Sequence, residues 1–301
     1  MLVRILLDFY HPWPNNAPLF VARKLGFFAE RGLDVELACG DAFRGDALAH
    51  LERGEVHFGL SYPNRLMARV ASGAPLKSVA AVCARPMESL VTPVESAVER
   101  ASDLEGRRVG YRRSDRMTAL LNHLVELDGG DPSTVRHVVL YPQEPMPSDL
   151  REGRIDAMFG ALWAWEGLHG PVLAGDRLFH VEVDGLGAPT YNAQVLAARS
   201  DVDPSVAQAV VAAVAKGAVA VAADVDMATD LMFEAAPYFP RSLIRASLDW
   251  VVDNWGLPHD WGRHNRPELA AYRDWLLETG LVAAPVDLDE VFVDPNLSRA
   301  D

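Results

Sequence analysis

The start of the chain places short apolar runs between polar breaks in the order strand, helix, strand. An apolar run at residues 2–7 opens into a loop at 8–18 that is dense in aromatic, proline and amide side chains. A helical pattern follows from residue 19, stops by Gly32 and is succeeded by a second predicted strand at 33–37. This alternation predicts an α/β fold, in which ligands bind at the carboxyl ends of the strands. We therefore expect the 8–18 loop to face a ligand.

Two similar segments predict two similar lobes. Residues 48–59 and 150–160 each show the end of a helix, a glycine C-cap and a short buried strand that itself ends on glycine. Between them a new first strand begins near Val109, and a long alanine- and valine-rich helix at 204–223 leads back to the first lobe. We assign residues 1–91 plus 193–301 to the first lobe and 92–192 to the second.

Charge and composition narrow the functional classes. Asp and Glu number 42 against 28 for Lys and Arg, a formal net charge of -14. Such a surface repels phosphate backbones, so nucleic acid is not expected as a partner. No window reaches the roughly 20 uninterrupted apolar residues of a membrane span, so an integral membrane protein is not expected either.

The first residues do not show a basic segment, an apolar stretch and a cleavage site in succession. If an export signal has been removed, we expect an extracytoplasmic protein, either periplasmic or lipoprotein-anchored. Otherwise the expectation is a cytoplasmic protein.

The possible metal ligands form no recognisable pattern. The two cysteines, Cys39 and Cys83, have no neighbour at metal-ligand spacing and are expected to be small buried side chains. His259 and His264 lie five residues apart, which fits no helical metal pair. We therefore expect no metal and no cofactor.

Several short motifs in register resemble one known family, and the resemblance covers nearly the whole chain. The family comprises the substrate-binding proteins of thiamine-precursor and riboflavin ABC importers, together with the fungal-type pyrimidine synthases of thiamine biosynthesis. The motifs that carry the resemblance are Leu7-Asp8-Phe9, Pro14-Asn15, residues 20–28, Gly32-Leu33-Asp34-Val35, residues 54–59, residues 103–110 and residues 153–157.

The resemblance implies an α/β, two-lobed periplasmic-binding-protein type II fold with a ligand cleft between the lobes. Lobes of this kind close over a bound ligand by a hinge motion, so aromatic and polar residues from both are expected to reach the ligand.

The chain departs from the enzymes of this family at the positions that carry their chemistry. The synthases resemble this chain but carry an active-site lysine and histidine after the first repeat strand. Ser61 stands at the position of that lysine, and Arg65 stands at the position of that histidine. No amine is therefore available at that point for a Schiff base with pyridoxal phosphate. The return segment 187–194 has no cysteine, whereas the synthases carry an iron-binding cysteine run there. A related desulfinase branch of the same fold uses a nucleophilic cysteine in the first lobe. Cys39 could act in the same way in this chain if Arg44 lowered its pKa.

Aromatic side chains can sandwich a flat heterocycle, and the sequence offers them in both lobes. Phe9 and Trp13 come from the first loop, Tyr62 follows the first repeat strand, and Trp163 and Trp165 follow the second. The two tryptophans are two residues apart and would point the same way at a strand end. Alternatively, these rings simply pack in the core.

Polar residues near these rings complete the candidate ligand-binding set. Glu166 matches the position of a glutamate that family members place beside the heterocycle, and its carboxylate can accept from an amine. Alternatives remain open for the others, because turn residues hold their own loops and a serine before a helix is an ordinary N-cap. Arg112, with its neighbour Arg113, could instead hold an anion together with the helix N-terminus. The remaining candidates are Asp8, Asn15, Asn16, Ser61, Ser114 and Tyr191.

We predict a solute-binding protein for a small planar heterocycle, which the family resemblance narrows to a pyrimidine precursor of thiamine. It would act by lobe closure and, if exported, deliver the ligand to an ABC permease. Two alternatives stay open. One is a cytoplasmic enzyme on the same scaffold that acts on a pyrimidine or an aromatic acid, and the other is a riboflavin-binding receptor.

Overall fold

The computed structural model describes residues 1–41, 43–96, 98–141, 143–255 and 261–294. These residues form two compact units, one made of Met1–Arg85 with Tyr191–Asp301 and the other of Pro86–Thr190. Each unit is built on its own five-stranded sheet. The predicted α/β fold class is confirmed.

The first unit contains a mostly parallel sheet in the order β2-β1-β3-β10-β4. β1 pairs in parallel with both β2 and β3, and β10 runs antiparallel between β3 and β4. β3 and β10 are buried almost throughout, as expected for central strands covered on both faces. The five strands are β1 Leu2–Leu6, β2 Asp34–Ala38, β3 Phe58–Ser61, β4 Leu76–Cys83 and β10 Gln194–Arg199.

The second unit repeats this topology in the order β7-β6-β8-β5-β9. β6 lies in parallel between β7 and β8, and β5 runs antiparallel between β8 and β9. The two segments that repeat in the sequence supply the corresponding strands β3 and β8. The strands are β5 Ser89–Pro93, β6 Arg108–Arg112, β7 Arg136–Leu140, β8 Ala157–Gly160 and β9 Leu178–Glu182.

The chain passes between the units at places that differ slightly from the predicted boundaries. The second unit begins at Pro86 rather than at residue 92, because β5 hydrogen-bonds to β8 and β9 and so belongs to the second sheet. On the return, Tyr191 already belongs to the first unit. The return strand β10 begins at Gln194.

Helices connect the strands and cover the sheets. In the first unit they are α1 Ala17–Lys24, α2 Ala47–Glu52, α3 Pro63–Ala71, α7 Pro204–Ala223, α8 Val225–Ala235, α9 Arg241–Val251, α10 Arg266–Glu278 and α11 Leu288–Val291. In the second unit they are α4 Asp115–Leu127, α5 Pro147–Arg151 and α6 Trp165–His169.

α7 is the predicted alanine-rich helix, and it packs against α1. Gly217 lies so close to α1 that a Cβ atom there would overlap the carbonyl oxygen of Pro18. Among the described helices, α7 alone meets the length and composition expected of a membrane span, and 44% of its apolar window is buried. The core helix of a globular unit meets the same criteria.

The segment after α11 is held against β4 by a buried hydrogen-bond chain. His264 Nε2 lies 2.7 Å from Ser78 Oγ, and His264 Nδ1 lies 2.5 Å from Asp294 Oδ1. The order of groups is that of a Ser-His-Asp triad. Ser78 and the His264 side chain are both 0% exposed, however, so a substrate has no access to the hydroxyl. The chain therefore serves to fasten the C-terminal segment to the first sheet.

Two sequence expectations about possible metal ligands have different outcomes. Cys83 is buried as predicted, whereas Cys39 is exposed because it follows the edge strand β2. The prediction of burial for Cys39 is therefore wrong. His259 lies outside the described residues. Within the described ranges, no group of three or more His, Cys, Asp and Glu side chains is arranged to hold a metal ion.

Candidate functional site

The loop after β1 packs its predicted aromatic residues against each other. The Phe9 and Trp13 rings are stacked with centroids 4.0 Å apart, and they are 3% and 2% exposed. His11 is also buried and meets both rings edge-on. Tyr10 is the aromatic residue of this loop that lies open, with 51% of its surface exposed. Tyr10 was not among the predicted ligand residues, since the sequence of an irregular loop does not show which ring turns outward.

The two asparagines of the same loop are buried and hold it in place. Asn16 Oδ1 accepts from the Trp13 backbone N–H at 2.8 Å. Asn15 Nδ2 donates to Gln194 Oε1 at 2.7 Å, which ties the loop to the first residue of β10. Of the two readings that the sequence left open, the contacts support turn chemistry for Asn16. Asn15 Oδ1 has no hydrogen-bond partner among the described residues.

Asp8 and Tyr62 bring the ends of β1 and β3 together. Tyr62 Oη donates to Asp8 Oδ2 at 3.0 Å, and Asn16 Nδ2 donates to Asp8 Oδ1 at 3.4 Å. The Arg65 guanidinium lies 5.1 Å from the centre of the Tyr62 ring. Tyr62 is the N-cap of α3, and Arg65 lies in the first turn of that helix. We call Asp8, Asn16, Tyr62 and Arg65 the carboxylate cluster. It was not apparent in the sequence that Asp8 would bind side chains rather than backbone N–H groups.

Burial dominates the electrostatics of the carboxylate cluster. Desolvation raises the pKa of Asp8 above its ordinary value, even though hydrogen bonds from Tyr62 and Asn16 and the charge of Arg65 oppose the shift. A carboxylate in such surroundings interacts strongly with any donor that replaces water beside it. Ser61, the last residue of β3, is 3% exposed, and its Oγ has no hydrogen-bond partner among the described residues.

In the second unit, the predicted Arg112 is the last residue of β6, and Ser114 lies in the loop that follows. Ser114 is the N-cap of α4 and accepts from the Met117 backbone N–H at 3.5 Å. Arg112 Nη1 lies 3.4 Å from Glu144 Oε1. Arg116, in the first turn of α4, forms an ion pair with Glu88. Glu88 and Glu144 were not among the predicted site residues, because both lie far from the arginines along the chain.

The segment after β8 carries Trp163, Trp165 and Glu166. β8 ends at Gly160, and Trp165 is the first residue of α6, so the two tryptophans do not occupy a strand end. The argument that they point the same way is therefore wrong. Trp163 is 6% exposed and Trp165 is 0% exposed. Glu166 lies half-buried in the first turn of α6.

Tyr191 occupies a packed position in the first unit. Its ring stacks on Tyr272 with centroids 4.1 Å apart, and Tyr272 in turn stacks on Trp275. Tyr191 is 2% exposed. These contacts favour a structural role for Tyr191 over the ligand contact that was expected.

Cys39 lacks the surroundings of an activated thiol. Partial desolvation and the nearby Asp8 carboxylate raise the pKa of Cys39. The guanidinium of Arg44 lies 3.1 Å from Glu55, which takes up its charge. A nucleophilic cysteine needs a lowered pKa, so these features oppose the desulfinase alternative.

The fold is that of the periplasmic binding proteins. The structure is similar to the periplasmic aliphatic sulphonate-binding protein SsuA from Escherichia coli, with a TM-score of 0.77 over 100% of this chain and 94% of that chain. Sequence identity between the two is 16%, so the similarity defines the fold and not the ligand.

Within that fold class the sequence defines a narrower group. Residues 13–228 match the NMT1/THI5-like family, and the chain belongs to this family. The predicted family resemblance is confirmed.

Three relatives illustrate the range of the family. A Haemophilus influenzae protein named for thiamine biosynthesis is 30% identical over 66% of this chain and 62% of its own length. The formylaminopyrimidine-binding protein of Halalkalibacterium halodurans is 31% identical over 64% of this chain and 57% of its own length. A 4-amino-5-hydroxymethyl-2-methylpyrimidine phosphate synthase of Legionella pneumophila is 30% identical over 45% of this chain and 42% of its own length. The chain thus spans less than two thirds of each of these relatives.

Proposed function

We propose that this chain is a solute-binding protein for a small aminopyrimidine, a precursor of thiamine. The observation that carries the proposal is the carboxylate cluster at the carboxyl ends of β1 and β3, where ligands bind in sheets of this type. The similarity to a formylaminopyrimidine-binding protein supports a pyrimidine as the ligand.

The chemistry of the carboxylate cluster suits such a ligand. An aminopyrimidine offers an exocyclic N–H donor, and its ring nitrogens accept hydrogen bonds or carry a proton. The Asp8 carboxylate can accept from an amine or from a protonated ring nitrogen, while the Tyr62 hydroxyl can donate or accept. Because Asp8 is desolvated, a hydrogen bond made there is worth more than one made in water. Tyr10 supplies an exposed ring face nearby in sequence.

In the second unit we propose Glu166, Trp163 and Trp165 as ligand residues. A half-buried glutamate in the first turn of α6, beside two large rings, can accept from a second N–H group of the ligand. We propose further that both units contribute to binding and that they close over the ligand by a hinge motion.

Delivery to an ABC permease completes the proposed role. Support comes from the fold, which is that of a periplasmic binding protein. The role requires an extracytoplasmic location, so the permease would meet the loaded protein at the outer face of the membrane.

The chief alternative is an enzyme on the same scaffold, and the similarity to a pyrimidine phosphate synthase favours it. Ser61 opposes the synthase chemistry, because a buried hydroxyl at the end of β3 cannot form a Schiff base. Incubation of candidate pyrimidines with the purified chain distinguishes the two roles: a receptor returns its ligand unchanged, whereas formation of product by the chain alone would establish the enzyme.

Calorimetry with a formylaminopyrimidine and its deformylated amine tests the binding proposal. Glu166→Gln should weaken binding about tenfold or more, since hydrogen bonds to charged groups are worth roughly 1.5–3 kcal/mol. Glu95→Gln is a matched control in the same unit, because the Glu95 side chain is 70% exposed. Affinity that is unchanged in Glu166→Gln would remove Glu166 from the site, and the absence of binding to any pyrimidine would end the proposal.

A further inference from the structure

The start of α4 in the second unit has the composition of an anion site. β6 ends at Arg112, and α4 begins three residues later at Asp115, behind the N-cap Ser114. Arg116 follows in the first turn of a helix of 13 residues. Two guanidinium groups beside free helical N–H groups are the usual means of binding a phosphate or sulfonate.

Arg112 and Arg116 are each already paired with a glutamate that is largely, but not fully, buried. The Arg116 and Glu88 side chains form an ion pair and are only 10% and 14% exposed. Arg112 Nη1 lies 3.4 Å from Glu144 Oε1, and these side chains are 27% and 13% exposed. The Ser114 hydroxyl is occupied by the Met117 backbone N–H. The charges of Arg112 and Arg116 are therefore balanced by two carboxylates within the unit, while Arg113 between them is exposed.

Sheet topology places both glutamates at the edge where ligands bind. Glu88 directly precedes β5, whose first residue, Ser89, lies opposite Gly160 at the carboxyl end of β8. Glu144 Oε2 lies 3.9 Å from the position of a Cβ atom on Gly160. Both carboxylates thus lie at the carboxyl ends of the parallel strands β6 and β8, next to the segment that carries Trp163 and Glu166.

An anion that bound Arg112 or Arg116 would have to displace Glu144 or Glu88 from its guanidinium. Displacing Glu88 or Glu144 from its arginine would leave a largely buried carboxylate without compensation, which is strongly unfavourable. An uncharged or cationic group meets no such penalty, and the glutamates can accept its N–H donors.

We infer that Glu88 and Glu144 are specificity-determining residues that reject ligands bearing a phosphate or sulfonate group, so that the ligand of this chain is uncharged or cationic. This inference deepens the proposed function and rests on it for the identity of the ring. The inferred ligand therefore differs from the phosphate and sulphonate compounds in the names of two similar proteins, a pyrimidine phosphate synthase and a sulphonate-binding protein.

The test measures binding of 4-amino-5-hydroxymethyl-2-methylpyrimidine and of its phosphate monoester by calorimetry. The wild-type chain is expected to bind the alcohol at least tenfold more tightly than the ester. In Glu144→Gln the ratio should fall at least fivefold, mainly because the ester binds better, while Glu95→Gln should leave it unchanged. Tighter binding of the ester by the wild type, or an unchanged ratio in Glu144→Gln, would overturn the inference.

A second arm separates this inference from the proposed function. Inorganic phosphate and a simple alkanesulfonate are titrated into the wild type, Glu144→Gln and the double variant Glu88→Gln/Glu144→Gln. The glutamine variants should bind these anions at least tenfold more tightly than the wild type. Equal anion binding by wild type and Glu144→Gln would overturn the inference even if the double variant fails to fold. Failure of the wild type to bind the pyrimidine alcohol would instead overturn the proposed function, whatever the anions do.

Discussion

Replacing Asp8 by asparagine separates a ligand-binding carboxylate from a structural one. Asparagine preserves the shape of the side chain and keeps an oxygen that can accept from Tyr62 Oη, now 3.0 Å from Asp8 Oδ2. It removes the negative charge that burial disfavours. If Asp8 is held at the carboxyl end of β1 for a ligand, stability and affinity should respond in opposite directions.

The expected loss of affinity follows from the charge of the acceptor. A hydrogen bond to a charged group is worth about 1.5–3 kcal/mol, and about 1.4 kcal/mol corresponds to a factor of ten in affinity. Asp8→Asn should therefore weaken binding of an aminopyrimidine by roughly 10- to 150-fold. Asp34→Asn is a suitable control, because Asp34 is exposed on the edge strand β2 of the same sheet.

The expected change in stability follows from the direction of the pKa shift. Burial raises the folded-state pKa of Asp8 above the ordinary value of 3.8, so the folded chain binds this proton more tightly than the unfolded chain does. The contribution of Asp8 to stability is therefore fully present below pH 3.8 and is lost as the pH rises through the folded-state pKa. At neutral pH, Asp8→Asn should leave the free energy of unfolding unchanged or raise it, because it removes a desolvated charge.

Urea unfolding without ligand and calorimetry with ligand, both at neutral pH, provide the two readouts. A variant that is less stable but binds with wild-type affinity would refute the reasoning, because Asp8 would then serve to hold its loop. At a site that trades stability for function, the substitution keeps or raises the free energy of unfolding and weakens ligand binding.

Three further outcomes are expected. His264→Ala should lower the free energy of unfolding in urea by about 2–4 kcal/mol, because it removes the hydrogen bonds to Ser78 and Asp294 and opens a cavity, whereas the exposed His169→Ala should have little effect. Burial lowers the folded-state pKa of His264 below 6.5, so wild-type stability should fall as the pH drops through 6.5, and a His264→Gln chain that keeps the full slope would contradict this. Gly217→Ala should destabilise the chain by about 1–3 kcal/mol through overlap with Pro18, although the same change in an open helix is stabilising; a higher unfolding midpoint would disprove the close packing of α7 on α1.

The pH dependence attributed to His264 rests on a neutral ring. When Nδ1–H donates to Asp294 and Nε2 accepts from Ser78, both ring nitrogens are hydrogen-bonded in the neutral form of the ring. Partial burial opposes ionisation of Asp294, but the hydrogen bonds from His264 outweigh it and lower the pKa of Asp294. Protonation of either residue would therefore loosen the segment after α11.

Local patterns in the sequence predicted most of the elements. The apolar runs of β1 and β2, the helix at 204–223 and the two repeat strands all appear where periodicity and glycine placement indicated them. The boundary near residue 92 was displaced, because an apolar run does not reveal which sheet a strand will join. β5 joined the second sheet by pairing with strands more than sixty residues away along the chain.

The sequence by itself determined the fold class and the family, since both depend on the order of short motifs and on the spacing of apolar residues. Tertiary structure decided what the individual side chains do. Phe9 and Trp13 turned toward each other, and Tyr10 turned outward. Arg112 gained Glu144 from 32 residues away, which placed a carboxylate beside its charge. Charge balance and ring exposure are properties of neighbours in space, and the chain brings those neighbours together only when it folds.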